Sequence, residues 1–384
     1  MPTADSCTAA GRPARRRIGP RGAVLLVLLG LVALEFGLHR AGYGRRLSVE
    51  VDERLGWHFA PDQSRAGRQE EGRLRTNAQG FRDSDWPAPE AVDDSALIVV
   101  ALGDSVTYGT HVTQEERWTE VLETALRTRH PGRRVEVLNM AVPGYTLEQM
   151  ARVYEDVARP YQPNLVVFAL VDASAKPMRP VQAGSGFPGR SWIVRTATYD
   201  WWRQEVLGER KVRPLADPET EEDRNLGHLE RRSRRAPFRR QGKSLWEVGL
   251  ARLEEIDADL HERGGQLVLL SLPRASYVYG RNARSVAKHF KSWALSRRVH
   301  VADPRLRFDS EVRPLLDELD LLDLDPADVW SSKTGRMDAS FEHAALSLHR
   351  FDDPGHLTIR GHELVAEVLL KSLSRAKLLG HLAR

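Results

Sequence analysis

The chain has 384 residues, enough for one large domain or two small ones, and its 41% hydrophobic and 29% charged residues exclude wholesale disorder. The formal charge of +4 is carried by the first 21 residues, where Arg12, Arg15, Arg16, Arg17 and Arg21 face only Asp5. The remainder is formally neutral, which argues against a nucleic-acid partner, and the single cysteine, Cys7, excludes an intramolecular disulfide.

The basic tail, 1–21, is followed by an apolar run over 22–38 that only Glu35 interrupts. Its length suits a short transmembrane helix. Arginines ahead of such a span hold the N-terminus in the cytoplasm and send the downstream domain across the membrane. No small-residue cleavage site comes after the run, so an uncleaved signal anchor is favoured over a cleaved signal peptide. Residues 39–95 read as a juxtamembrane stalk with little periodicity. It contains the turn-rich stretch Thr76-Asn77-Ala78-Gln79-Gly80-Phe81-Arg82-Asp83.

From residue 96 strands and helices alternate. Near-continuous apolar runs predict strands at 97–102, 135–138, 165–170, 266–272 and 299–302. Helices are predicted near 116–129, from 147 to about 159, from 245 to 263, near 283–297 and from about 358 to 374. Pro131, Pro160, Gly264 and Pro273 serve as stop signals. The stretch 173–243 breaks this rhythm and reads as an insertion. Within it, Trp201 and Trp202 read as packing residues and the arginine-rich run 230–240 as a solvated loop. A polar, acidic segment precedes the last helix, and 375–384 form a C-terminal tail. Alternation of this kind predicts an α/β domain over 96–374: a mostly parallel five-stranded sheet between helices, preceded by one N-terminal membrane helix. In such sheets ligands bind beyond the C-terminal strand ends.

Gly103-Asp104-Ser105 stands at the first of those ends. A serine on a glycine turn after a buried strand can present its hydroxyl as a nucleophile. Asp353-Pro354-Gly355-His356 lies near the far end of the chain. His356 is the matching base, with Asp353 able to orient its ring. The backbone N–H groups of Ser105 and of Gly144, in the turn after the second strand, are candidate oxyanion donors. Other chemistries fit less well. Gly103-Asp104-Ser105-Val106-Thr107 is not G-x-S-x-G, and no phosphate-binding G-x-x-x-x-G-K-[ST] occurs. A metal set drawn from His349, Asp352, His356 and His362 lacks the spacing of H-E-x-x-H. No metal and no organic cofactor is expected.

These residues resemble the SGNH/GDSL hydrolases, esterases and acyl transferases with a three-layer α/β/α, flavodoxin-like domain. The first block is similar over Ala101-Leu102-Gly103-Asp104-Ser105-Val106-Thr107-Tyr108-Gly109, the second over Asn139-Met140-Ala141-Val142-Pro143-Gly144, and the fifth over Asp353-Pro354-Gly355-His356-Leu357-Thr358 with Gly361-His362. Asn77, Gly80, Phe81 and Arg82, with the anchor, are similar to a membrane-anchored bacterial subset. The resemblance implies Ser105 as nucleophile, His356 as base and Asp353 as its orienter. It also implies an acyl ester, acetyl above all, of an envelope carbohydrate or lipid as substrate. The third block departs from the family's G-x-N-D: Ala169-Leu170-Val171-Asp172 puts Val171 where an asparagine would supply an oxyanion donor. Loss of such a donor typically costs ~10²–10³ in rate. Asn139 and the insertion are the candidate sources of a replacement. The alternative is a catalytically impaired carbohydrate- or partner-binding module that keeps its triad.

Overall fold

The computed structural model describes residues 20–41, 49–67, 70–93, 95–175, 245–273, 286–318 and 355–379. Leu47, Thr198, Trp201, Trp202, 330–331, 336–337 and Leu348 are described besides. Helix α1, Pro20–Ala41, contains a 19-residue span, Pro20–Leu38, apolar enough to cross a membrane or to serve as a signal sequence. At about 1.5 Å per residue the whole helix is roughly as long as a bilayer core is thick.

Two hairpins come next, within the predicted stalk. Strands β1 (Val49–Asp52) and β2 (Gly56–Phe59) pair antiparallel, as do β3 (Ser64–Ala66) and β4 (Arg73–Arg75). Asp52 Oδ1 accepts from the N–H groups of Arg54 and Leu55, which closes the first turn. Trp57, Phe59, Phe81 and Trp86 are buried in the same apolar cluster as Ile98, Val100 and Leu102 of the central strand. The stretch 49–93 is therefore packed structure, where the sequence predicts a stalk. Its strands are three or four residues long, too short for periodicity to register.

Strands β5 (Leu97–Leu102), β6 (Val135–Asn139), β7 (Leu165–Leu170), β8 (Gln266–Ser271) and β9 (His300–Ala302) form one parallel sheet in the order β6-β5-β7-β8-β9. This is the doubly wound 2-1-3-4-5 order of flavodoxin-like folds, whose switch point lies between the first and third strands in the chain, here β5 and β7. Alternation along each strand splits the core in two. Leu97, Val99 and Ala101, with Leu165, Val167 and Ala169, pack on one face against Trp118, Leu122, Phe308, Leu364 and Leu369. These come from α3 (Trp118–Arg129), α7 (Arg305–Glu318) and α8 (Ile359–Arg375). Ile98, Val100, Leu102, Val166 and Phe168 pack on the other face with Met150, Leu253, Ile256 and Leu260, from α4 (Leu147–Val153) and α5 (Leu245–Glu262). The result is the expected three-layer α/β/α sandwich.

The strands fall where the apolar runs predict them. The helix predicted near 283–297 is a single turn at Val286–His289 followed by α6 (Lys291–Arg297). Helix α7 occupies the polar, acidic segment and is absent from the sequence reading. Among its described side chains, Phe308 and Val312, spaced i,i+4, anchor it in the core, while Arg307–Glu311 and Asp309–Arg313 pair on its exposed side. Of the predicted insertion only 173–175, Thr198, Trp201 and Trp202 are described, so the arginine-rich run lies outside the described residues.

Candidate active site

Ser105 begins a one-turn helix, α2 (Ser105–Tyr108), directly beyond β5. Asp104 caps it, its Oδ1 accepting from the Val106 N–H at 3.1 Å. Gly103 is required here, because a Cβ at that position would sit on the Thr107 side chain. Gly109 ends the turn in a left-handed conformation, φ 80°, and a Cβ there would lie 2.5 Å from Arg117 Cδ. The Thr110 N–H donates to the Ser105 carbonyl at 3.1 Å, which folds the next loop back over the turn. Gly144, at φ 79°, lies in the turn beyond β6. That turn is tied to the serine turn by the Val142 N–H, which donates to Gly103 O at 3.3 Å. Both candidate oxyanion residues thus stand at C-terminal strand ends, on neighbouring strands, as the topology requires.

His356 lies on the entry to α8 and is almost wholly buried. Thr358 fixes that entry by capping α8, its Oγ1 accepting from the Gly361 N–H at 3.3 Å. One turn on, His362 is fully buried, and its Nδ1 accepts the Trp118 N–H at 3.3 Å. Burial, reinforced by the nearby Arg117, His356 and Arg82, depresses His362 to about 3, so it is a neutral structural imidazole. Asp353 lies outside the described residues, as do His349 and Asp352.

Asn139, the candidate replacement for the missing oxyanion donor, is already engaged. Its Nδ2 donates to Thr107 O at 2.8 Å and to Thr119 Oγ1 at 3.0 Å, and its Oδ1 accepts from the Ala141 N–H. Both amide hydrogens hold α2 to the start of α3, which leaves none for substrate. Val171 comes directly after β7 and is 4% exposed, within the apolar cluster that contains Ala169 and Leu272. Its N–H donates to Ser174 Oγ at 2.9 Å.

The structure gives a role to each quoted residue of the Asn77–Asp83 stretch. Asn77 Oδ1 accepts from the N–H groups of Gln79 and Phe81, and Gly80 takes φ 80°. Phe81 stacks on Trp86 in the core. Arg82 is buried, and its guanidinium donates to four carbonyls: Gly109 at 2.7 Å, Val112 at 2.8 Å, and Tyr108 and Glu71 at 3.3 Å. Three of these belong to the segment just after Ser105. Asp83 accepts from Trp86 Nε1, the Asn139 N–H and Arg117. Burial pushes its carboxyl up, with Arg117 pulling the other way. Arg117, itself fully buried, also donates to the Arg82 carbonyl and pairs with Glu120. His111 lies in the clamped segment, and its ring meets that of His356 edge-on at 5.4 Å. Read from sequence alone, Arg82 and Asp83 belong to a quoted stretch but carry no structural role, and neither His111 nor Arg117 is singled out. The available signal was the basic residue directly after Phe81 in a turn-rich stretch, which the stalk interpretation assigned no packing role.

A doubly wound sheet with a serine turn at its switch point, and a buried histidine whose ring meets that of His111 in the loop after that serine, defines an α/β protein of flavodoxin-like layout. Residues 99–172 match the family model of the GDSL-like lipases and acylhydrolases. The chain thus carries the GDSL-like segment that its motifs imply, from β5 through the third block. Among solved structures, a catalytic mutant of Axe2, an acetylxylan esterase from Geobacillus stearothermophilus, is 14% identical with a TM-score of 0.39, over 73% of this chain and 94% of that one. A GDSL-like lipase from Bacteroides thetaiotaomicron is 11% identical with a TM-score of 0.34, over 75% of this chain and 94% of that one. No curated protein matches the chain.

Proposed function

We propose that the protein is a serine esterase or O-acyl transferase that works through an acyl-Ser105 intermediate. The observation carrying this reading is the position of Ser105: capped at the switch point of a 2-1-3-4-5 sheet, inside the segment that matches the GDSL-like acylhydrolases. Ser105 Oγ attacks the ester carbonyl while His356 takes its proton, with Asp353 orienting the imidazole. The N–H groups of Ser105 and Gly144 receive the developing oxyanion. Collapse of the tetrahedral intermediate expels the alcohol, which recovers the proton from His356. Water, or a second alcohol in a transferase, then attacks the acyl-serine with His356 again as base. Helix α1 would anchor this domain outside the cytoplasm, so the substrate is an acylated carbohydrate or lipid of the envelope, with acetyl the favoured group.

One observation favours a second reading, a binding module with an impaired centre: Val171 is buried and apolar where the family carries its asparagine donor. Labelling by a fluorophosphonate, together with hydrolysis of a small acetyl ester, separates the two. The esterase reading expects labelling that Ser105→Ala abolishes. It also expects Ser105→Ala and His356→Ala to lose kcat to similar depths, with little further loss in the double variant. Unchanged ester hydrolysis by Ser105→Ala refutes it.

A further inference from the structure

We propose that His111 is a positioning residue for His356, held in place by the N-terminal segment 70–82. The proposal rests on the esterase reading and extends its machinery to residues no sequence block includes.

Four observations converge on this side chain. Its ring meets the His356 ring at a centroid distance of 5.4 Å and an interplanar angle of 74°, an edge contact that restricts rotation of the partner ring. It is buried, and its Nδ1 lies 3.4 Å from Glu70 Oε1. Its backbone N–H donates to Glu71 Oε1 at 3.2 Å. Its φ is +73°, a left-handed conformation that a residue with a Cβ keeps only where its surroundings enforce it. The enforcement is visible. Arg82 binds the carbonyls of Gly109 and Val112, which bracket His111 on both sides. Glu70, Glu71 and Arg82 thus lock a short segment in a strained shape, and that shape presents an imidazole edge to the base candidate.

The geometry has a consequence for catalysis. His356 must accept a proton from Ser105 and return it to the leaving group in one ring orientation. A ring free to turn about χ2 would spend part of its time misaligned, and small misplacements of a catalytic group cost rate steeply. Asp353 fixes one edge of the ring in the proposed triad, and His111 would restrain it from another side. The effect belongs to turnover and not to substrate binding, because His111 acts through His356.

Two substitutions test this in the full-length protein in detergent, with active sites counted by fluorophosphonate titration so that only folded enzyme enters the rate. His111→Asn removes the ring but suits a left-handed backbone. His111→Phe keeps an aromatic edge and removes both nitrogens. With a small acetyl ester, His111→Asn is expected to lower kcat about 10-fold or more while KM stays within about twofold, and His111→Phe to recover kcat to within about threefold of the parent. An unchanged kcat in His111→Asn overturns the proposal, as does a His111→Phe variant as slow as His111→Asn. If the parent protein is not labelled at Ser105, the esterase reading itself falls. If it is labelled and His111→Asn turns over at the parent rate, only the positioning role falls.

Discussion

Removing the Arg82 guanidinium is the sharpest test of how the N-terminal segment supports the site. Replacing Arg82 with Met keeps most of the aliphatic stem, which packs in a buried position, and deletes the donors. Four carbonyls lose a partner, but the bonds to Gly109 and Val112, at 2.7 and 2.8 Å, carry most of the interaction, since those to Tyr108 and Glu71 are 3.3 Å. A hydrogen bond to a charged group contributes about 1.5–3 kcal/mol, so two strong ones give roughly 3–6 kcal/mol. Against this stands relief from burying a cation, the burial that lowers the Arg82 pKa. The net expectation is a loss of about 3 kcal/mol, or about 6–12 °C in Tm for a domain of this size. Arg82→Lys keeps the charge but cannot fork to both strong acceptors, so it should fall between. The assay is thermal unfolding by circular dichroism, paired with kcat on an acetyl ester at a temperature where all variants are folded. An Arg82→Met protein melting within about 2 °C of the parent would show that those carbonyls do not depend on the guanidinium.

The same geometry sets three further outcomes. Glu123 accepts from the Val137 N–H at 2.7 Å and pairs with Arg127, yet burial raises its carboxyl to about 7. The folded state therefore holds a proton more tightly than the unfolded chain. The contribution is fully present below about 4.5 and is lost as pH rises through about 7, so Glu123→Gln should flatten the fall in Tm across that window, and parallel Tm–pH curves would refute it. Gly109→Ala forces a Cβ onto Arg117, which Asp83 and Glu120 hold in place, at a φ that already disfavours alanine; calorimetric melting should show at least about 2 kcal/mol of destabilisation. Val171→Asn should raise kcat, and only when Ser105 is present, if Val171 occupies the oxyanion position, at a stability cost of about 1–3 kcal/mol for a buried amide; a folded variant with unchanged kcat refutes that assignment.

The sheet was legible because its strands are buried on both faces and appear as unbroken apolar runs, from Leu97–Leu102 to Gln266–Ser271. The serine turn was legible for a related reason: Gly103 and Gly109 are demanded by contacts with residues four and eight positions further along the chain, so their spacing survives as a motif. The hairpins were not legible, because β3 and β4 are three residues each and their register depends on pairing partners. Arg82 and Arg117 were less legible still. A charged residue predicts exposure, and only the carbonyls gathered around Arg82 and the carboxylates Asp83 and Glu120 beside Arg117 make burial favourable. His111 escaped because a lone histidine six positions after a serine carries no pattern. Its significance arises from a contact with a residue 245 positions away in the chain.

The order of the chain then acquires a physical logic. The apolar helix comes first, the Asn77–Asp83 clamp second and Ser105 third, so the segment between helix and sheet is the one that secures the loop after Ser105. Tyr145 Oη donates to Trp57 O at 2.5 Å and Gln149 Nε2 to Leu55 O at 2.8 Å, so the first hairpin is bound to the turn after β6 as well as to the core. Both loops proposed to build the oxyanion site therefore lean on residues 49–93: the serine loop through Arg82, the Gly144 turn through Tyr145, with Gln149 of α4 tied to the same hairpin. A sheet trimmed at residue 96 would keep its strands, its helices and Ser105. It would leave the carbonyls of Tyr108, Gly109 and Val112 without the guanidinium that now binds them and uncover the Tyr108 ring that Phe59 now meets at 5.7 Å, and a short loop with few buried contacts and exposed backbone groups is the kind of segment that opens first. In the proposed esterase, the geometry of the Ser105 and Gly144 loops is accordingly a property of the sheet together with the segment before it.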